Sequence, residues 1–316
     1  MAGTVWRPTL TTDRPAGPVG ASTDGSGPAA ARLAVRKTYK LYIGGAFARS
    51  ESGRVYPVRT ASGQFLANAA LASRKDARDA VRAARAAFGG WAGATAYNRG
   101  QILYRVAELL EGRRAQFASE VGAWDAASAR CAAAEVDAAI DRWVWYAGWA
   151  DKIAQVHGSA NPVAGAYFNL SVPEPTGVVA IVAPPDSALL GLVSAVAPAI
   201  VTGNTVVVLA SAQRPLPAVT LTEVLATADL PGGVVNLLTG RAVEIVPWLA
   251  SHLDVNAIDL TGVPDPGLAT ECEIAAADNL KRVLRPSAPP DWGAEQGIDR
   301  MSAFLETKTV WHPKGS

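Results

Sequence analysis

Cysteine is almost absent from this 316-residue chain: Cys131 and Cys272 are its whole complement, far apart and in no CxxC spacing. That excludes a disulfide framework and a thiolate zinc site, and it fits a reducing, cytoplasmic setting. Histidine is nearly as scarce. His157, His252 and His312 are scattered, so no metal is expected. Charge of either sign is balanced, 29 Lys and Arg against 28 Asp and Glu, with no long basic run. A nucleic-acid surface needs a basic stripe, so small ligands or proteins are the expected partners. No apolar run reaches the roughly 18 residues of a membrane span, because Pro184, Pro185 and Asp186 interrupt the stretch from Gly177 to Val201. The N-terminus also lacks the apolar core of a signal peptide.

What is present is apolar: 49% of residues against 18% charged, enough to bury a sizeable core in one or two domains. Residues 1–36 are the exception. Rich in Pro, Gly, Ser and Thr, they read as a flexible arm, with Trp6 and Leu10 available to dock on a partner. From Tyr39 the pattern tightens, and KLYIGGAFARS reads as a strand, a Gly-Gly turn and a second strand. A short strand is expected at 65–70. Ser73, with Asp76 three residues later, opens a helix that should end at Gly89 and Gly90. Further helices are expected at 96–111, 113–122 and 132–153, the last carrying Ile140, Trp143, Tyr146 and Ala147 on one stripe. Together these make an N-terminal helical part over 37–156, in which the Trp residues read as core or interface packing.

Over 157–176 two β-prone pieces flank residues 161–165, which suggests a hairpin. Pro173 and Pro175 confine its second piece to an edge or a strand end. A hairpin so exposed is expected to pair with another chain. Over 177–284 strands at 177–183, 205–209, 234–238, 256–260 and 282–284 alternate with helices at 188–201, 217–228, 242–251 and 266–279. Near-continuous Val, Ile and Leu strands separated by helices imply a parallel sheet covered on both faces. Right-handed crossovers make it doubly wound, with any ligand at the carboxyl ends of the strands. The fold class expected is α/β: a doubly wound parallel Rossmann-like sheet, N-terminal helices and a small β oligomerisation sheet.

KLYIGGAF, AIDRWVWYAGWADKI, VPEPTGVVAIVAP, PAIVTGNTVVV, DLPGGVVNLLTG and DLTG follow one another in an order and spacing that resembles the aldehyde dehydrogenase superfamily. The resemblance implies a Cys nucleophile, an oxyanion held by an Asn amide and the Cys backbone amide, a Glu general base, and NAD(P) as hydride acceptor. It also implies departures. Asp186 stands at the oxyanion Asn position, where a carboxylate would repel a developing alkoxide. Leu209, Ala210, Ser211 and Ala212 stand where the family has Lys-Pro-x-Glu against the adenosine ribose. Gly240, Arg241 and Ala242 replace Gly-x-Gly, and Val263 replaces the Ser after Thr-Gly. Each lost polar contact is worth about 1 kcal/mol or more, so no cofactor is expected, NAD(P) being the one the fold would take.

After Leu284 the segment 285–300, beginning RPSAPPDW, is read as a linker replacing the catalytic domain that would hold Glu and Cys. The tail 301–314 resembles the family's C-terminal strand, which joins the 157–176 hairpin in an oligomerisation sheet. Cys272 lies between Glu271 and Glu273, which would raise its thiol pKa, so it and Cys131 are read as structural. The expectation is a non-catalytic subunit that assembles with itself or with a full-length catalytic relative and stabilises or regulates it. One alternative is an NAD(P)-dependent oxidoreductase acting on aldehydes, for which Asp186, Asp259 and Glu271 are poor recruited groups. Another is a nucleotide-sensing module whose remodelled pocket is lined by Ser187, Ser211, Gly240 and Arg241. No catalytic residue is assigned.

Overall fold

The computed structural model describes residues 36–124 and 129–315, so the arm expected over 1–36, with Trp6 and Leu10, lies outside the described residues but for Arg36. The described chain opens with β1 (Thr38–Tyr39), β2 (Leu41–Ile43), β3 (Ala46–Ala48), β4 (Val55–Arg59) and β5 (Phe65–Ala70). The β2–β3 turn is the expected hairpin, with Gly44 and Gly45 at φ 60° and 88°, the positive values such a turn needs. Strands β1, β5 and β4 form a small sheet in that order. The sequence reading missed β4 because Pro57 interrupts VYPVR; Pro is tolerated there because β4 is an edge strand.

Helix α1 (Arg74–Gly93) starts as expected, with reciprocal hydrogen bonds between Ser73 and Asp76. Its end is a correction. The helix continues through Gly89 and Gly90, each costing about 1 kcal/mol, because Trp91 is fully buried and its indole donates to the Ile200 carbonyl at 2.8 Å. Helices α2 (Ala96–Gly112) and α3 (Arg114–Gly122) follow as expected. The long helix expected over 132–153 is two elements, α4 (Ala129–Trp149) and α5 (Ile153–His157). The bend buries both Ala150 and Ile153 and sets His157 Nε2 against Ser302 Oγ at 2.7 Å.

Strands β6 (Ser159–Asn161) and β7 (Tyr167–Pro175) form the expected hairpin. The nucleotide-type sheet then builds as β8 (Val178–Val182), α6 (Leu190–Val201), β9 (Thr205–Leu209), α7 (Leu216–Thr227), β10 (Val235–Leu238), α8 (Ala242–Ser251), β11 (Ala257–Asp259), α9 (Pro266–Ala277) and β12 (Arg282–Leu284). Its order is β12-β11-β8-β9-β10-β2-β3, parallel from β12 to β10, with the β2–β3 hairpin added antiparallel at one edge. Alternate residues serve opposite layers. Val179 and Ile181 join the core under α4, α6 and α7, whereas Val178, Ala180 and Val182 join the core under α1, α8 and α9. The doubly wound fold is therefore observed.

A short helix α10 (Asp299–Ser302) and β13 (Leu305–Pro313) close the chain. The strand expected from 301 thus begins later, because Met301 and Phe304 turn inward and are fully buried. Strand β13 lies antiparallel along all of β7, and the three-stranded sheet has the order β13-β7-β6. Pro173 and Pro175 occur where β7 has β13 on one side and no strand on the other, so neither removes a ladder bond. No described helix is long and apolar enough to cross a membrane.

Candidate functional site

In an open parallel sheet the ligand crevice lies beyond the carboxyl ends of the strands, where the winding direction reverses. Here the reversal falls between β8 and β11, the two strands from which the sheet grows in opposite directions. Two adjoining cavities occupy that end. The smaller, about 160 Å³, follows β8, β9 and β10 and is lined by Ser211, Ala212, Gln213, Gly240, Ala242 and Gly262 among others. The larger, about 460 Å³, lies over β8 and β11 and is walled by Asp186, Thr261 and the 285–292 segment. Pro185 and Pro264 border both, so the two adjoin along the strand-end groove.

The four residues singled out for a remodelled pocket do not come together. Ser211 and Gly240 line the smaller cavity. The Ser211 hydroxyl also accepts from the Arg214 amide at 3.3 Å, closing the turn after β9. Gly240 has φ 154°, an extended backbone on the positive side that favours glycine. Ser187 is buried: its hydroxyl donates to Glu135 at 2.9 Å and accepts from the Gly191 amide at 2.8 Å, so it serves the start of α6. Arg241 points outward and lies 3.5 Å from Glu244.

Glu135 and Asp265 are committed to the fold at this end of the sheet. Glu135, on α4, accepts from Ser187 Oγ and from the Leu189 and Leu190 amides at 2.9, 2.9 and 3.2 Å, filling the α6 N-terminus with a carboxylate. Helix α6 consequently starts at Leu190 and not at 188. Asp265 caps α9 through the Gly267 amide. Helix α8 begins at Ala242 without a side-chain cap, next to the smaller cavity, although its Glu244 amide already donates to the Arg241 carbonyl at 3.1 Å. The start of α8, Ser211 and Gln213 are the polar groups this half could offer an adenosine phosphate, and no cation is among the residues lining it.

Asp259 ends β11 fully buried, with its carboxylate held by the Thr261 amide and hydroxyl and by Arg300 at 2.8 Å. Arg142, 7% exposed, donates to Ser194 Oγ and to the Trp292 and Ala294 carbonyls. Sequence reasoning passed over Glu135, Arg142 and Arg300. For Arg142 a signal existed, a lone cation within the apolar phrase IDRWVWYAGW; for the other two the partners are remote in sequence.

No described cysteine faces the groove lining. Cys272 sits in α9 with no exposed surface, and burial, then the neighbouring Glu271, push its thiol up to about 11. Cys131 is exposed on α4. Asp186 is exposed at the mouth of the larger cavity. His252 stacks edge-on against Trp248, and among the described residues no group of three His, Cys, Asp or Glu is placed to hold a metal ion.

The sequence profile of the aldehyde dehydrogenase family matches residues 47–285. Retinal dehydrogenase 2 of Gallus gallus is 38% identical over 253 residues, 78% of this chain and 48% of the relative. The mitochondrial benzaldehyde dehydrogenase of Antirrhinum majus is 34% identical over 249 residues, 77% of this chain and 46% of the relative. The NAD+ complex of an aldehyde dehydrogenase from Bacillus cereus superposes with a TM-score of 0.73 at 27% identity, covering 78% of this chain and 50% of that one. The chain spans about half the length of the curated relatives it matches.

Proposed function

The chain belongs to the aldehyde dehydrogenase family, and from that premise we propose that it is a non-catalytic subunit, one that assembles with itself or with a catalytic relative and stabilises or regulates it. The observation that carries this reading is the make-up of the strand-end groove. It offers no thiol, it presents the carboxylate of Asp186 at the position where the family resemblance implies an oxyanion donor, and the chain passes from β12 to β13 through a short segment packed over the crevice. A thiol buried in α9 and raised to about 11 is no substitute nucleophile. What supports a nucleotide in this reading is the uncapped start of α8 together with Ser211 and Gln213 beside the smaller cavity.

A second reading, an NAD(P)-dependent oxidoreductase acting on aldehydes, is favoured by the comparisons more than the first. The relatives carry dehydrogenase names, and the Bacillus cereus neighbour is an NAD+ complex. NAD, when bound, would supply a hydride acceptor; the residues described here would contribute its binding contacts. A third reading, a nucleotide-sensing module, is separated from the first by calorimetry: NAD, NADP or an adenine nucleotide would bind without turnover. Purified protein, supplied with NAD or NADP and with retinal or benzaldehyde, should form no reduced cofactor, and mixing with a full-length relative should yield a stable complex. Aldehyde-dependent reduction by the protein alone overturns the non-catalytic reading.

A further inference from the structure

We propose that a cavity beside the β1-β5-β4 sheet is an anion site, in which Lys40, Arg49 and Arg54 hold a small phosphate or pyrophosphate group. The cavity has a volume of about 200 Å³, room for a compact anion and too little for a larger organic ligand. Its three cations come from separate links of the chain: Lys40 joins β1 to β2, Arg49 follows β3, and Arg54 precedes β4. The cavity shares no lining residue with either half of the strand-end groove, so this inference stands apart from the nucleotide reading.

What marks the place is positive charge left without a counter-charge. None of the three cations has a carboxylate partner among the described residues. The two acids nearest the 49–54 turn are engaged elsewhere. Asp76 accepts from Ser50 Oγ at 2.7 Å and from the Glu51 and Ser73 amides at 3.0 and 2.8 Å. Glu51 accepts from Ser73 Oγ at 3.1 Å and from Lys75 at 3.2 Å. Both serve the start of α1, and neither lines the cavity. The turn itself is fixed: Gly53 takes φ 69°, its amide donates to the Ser50 carbonyl at 2.9 Å, and the Arg54 amide donates to Ser52 Oγ at 3.3 Å. Three like charges lining one cavity repel one another, and a multiply charged anion removes that repulsion. Two guanidiniums suit a phosphate because each can present parallel N–H donors, while Lys40 adds a point charge. Thr38, which lines the same cavity, adds a hydroxyl. A formal net charge of +1 gives the chain no general attraction for anions, so binding here would be local.

The test is calorimetry at low ionic strength with inorganic phosphate, pyrophosphate and glycerol phosphate on three full-length proteins. These are the native chain, the triple variant Lys40→Gln, Arg49→Gln and Arg54→Gln, and Arg82→Gln, which removes an exposed cation of α1 outside the cavity. The native chain should bind pyrophosphate more tightly than phosphate, and added potassium chloride should weaken both. The triple variant should lose at least about tenfold in affinity, as expected when several charge-assisted hydrogen bonds are removed together. Arg82→Gln should bind as the native chain does. Glycerol phosphate binding more tightly than phosphate identifies a small ester as the natural class, and weaker binding identifies a free anion. No binding of any of the three anions by the native chain, a triple variant that binds like it, or an equal loss in Arg82→Gln overturns the proposal. Should the triple variant fail to fold, hydrogen exchange on the native chain decides: pyrophosphate should slow exchange of the 49–55 amides, and unchanged rates there overturn the site.

Discussion

Side-chain chemistry decides first whether this molecule has a reactive thiol. With a pKa of about 11, Cys272 is a thiolate in on the order of one molecule in ten thousand at pH 7, and it has no exposed surface. A thiol-titrating disulfide reagent should therefore react promptly with Cys131 alone and with both cysteines after denaturation. Rapid reaction of two thiols in the folded protein would restore Cys272 as a candidate nucleophile. Lys281 gives a pH signature. Its Nζ, 2.6 Å from both the His252 carbonyl and Asn279 Oδ1, is held in a buried site, and burial lowers its pKa from 10.5 to about 8. Between those values the unfolded chain binds the proton that the folded chain has released, so stability rises with pH across that window and the cost of burying the charge is greatest below it. Relative to Lys281→Met, the wild-type urea midpoint should climb as pH goes from 8 toward 10.5; parallel profiles would refute the assignment. Glu271 made part of the inert character of Cys272 readable from sequence, but burial, the larger cause, was not, and Glu273 is taken up by Arg285. The role of Ser187 was not, because its partner Glu135 is 52 positions away and no local window joins them.

Among elements, legibility followed the range of the controlling interaction. The start of α1 was readable because Ser73 and Asp76 satisfy each other within one turn. Its end was not, because the force that carries it past two glycines is the indole of Trp91 on a carbonyl of α6. The β-strands of the parallel sheet were legible as buried Val, Ile and Leu runs, whereas β4 was hidden by Pro57 and visible only through its pairing with β5. Helix α6 is the clearest case of remote control. Its first free amides are met by a carboxylate from α4, which also neutralises the positive end of the helix dipole. Glu135→Gln keeps an acceptor and removes the charge, so it should cost about 1 kcal/mol; Glu135→Ala removes both and should cost about 2 kcal/mol. Urea unfolding at neutral pH measures both. If Glu135→Ala unfolds at the wild-type midpoint, the carboxylate is not what starts the helix.

For the whole molecule the question is what the three-stranded sheet is for, since only Leu305 of it packs against a core cluster and it still keeps its full nine-residue register between β7 and β13. One face carries Phe168, Leu170, Val172 and Val310, all more than two-fifths exposed, and such a contiguous apolar surface signals a partner. Assembly through this face is the part of the proposed function that the sequence could suggest, from alternation and the two prolines, but that only mass measurement can decide. The register supplies a variant that separates assembly from folding. Leu170 and Val310 are directly opposed across β7 and β13, so Leu170→Glu with Val310→Lys puts opposite charges on facing positions, a pairing that supports the sheet while making its outer face hydrophilic. Light scattering should give an oligomer for the native chain and a monomer for the double variant, with both unfolding at similar urea concentrations because the cross-strand pair compensates. A native monomer, or an unchanged oligomer in the double variant, would move assembly away from this sheet and leave its exposed apolar face without the role that keeping both strands implies.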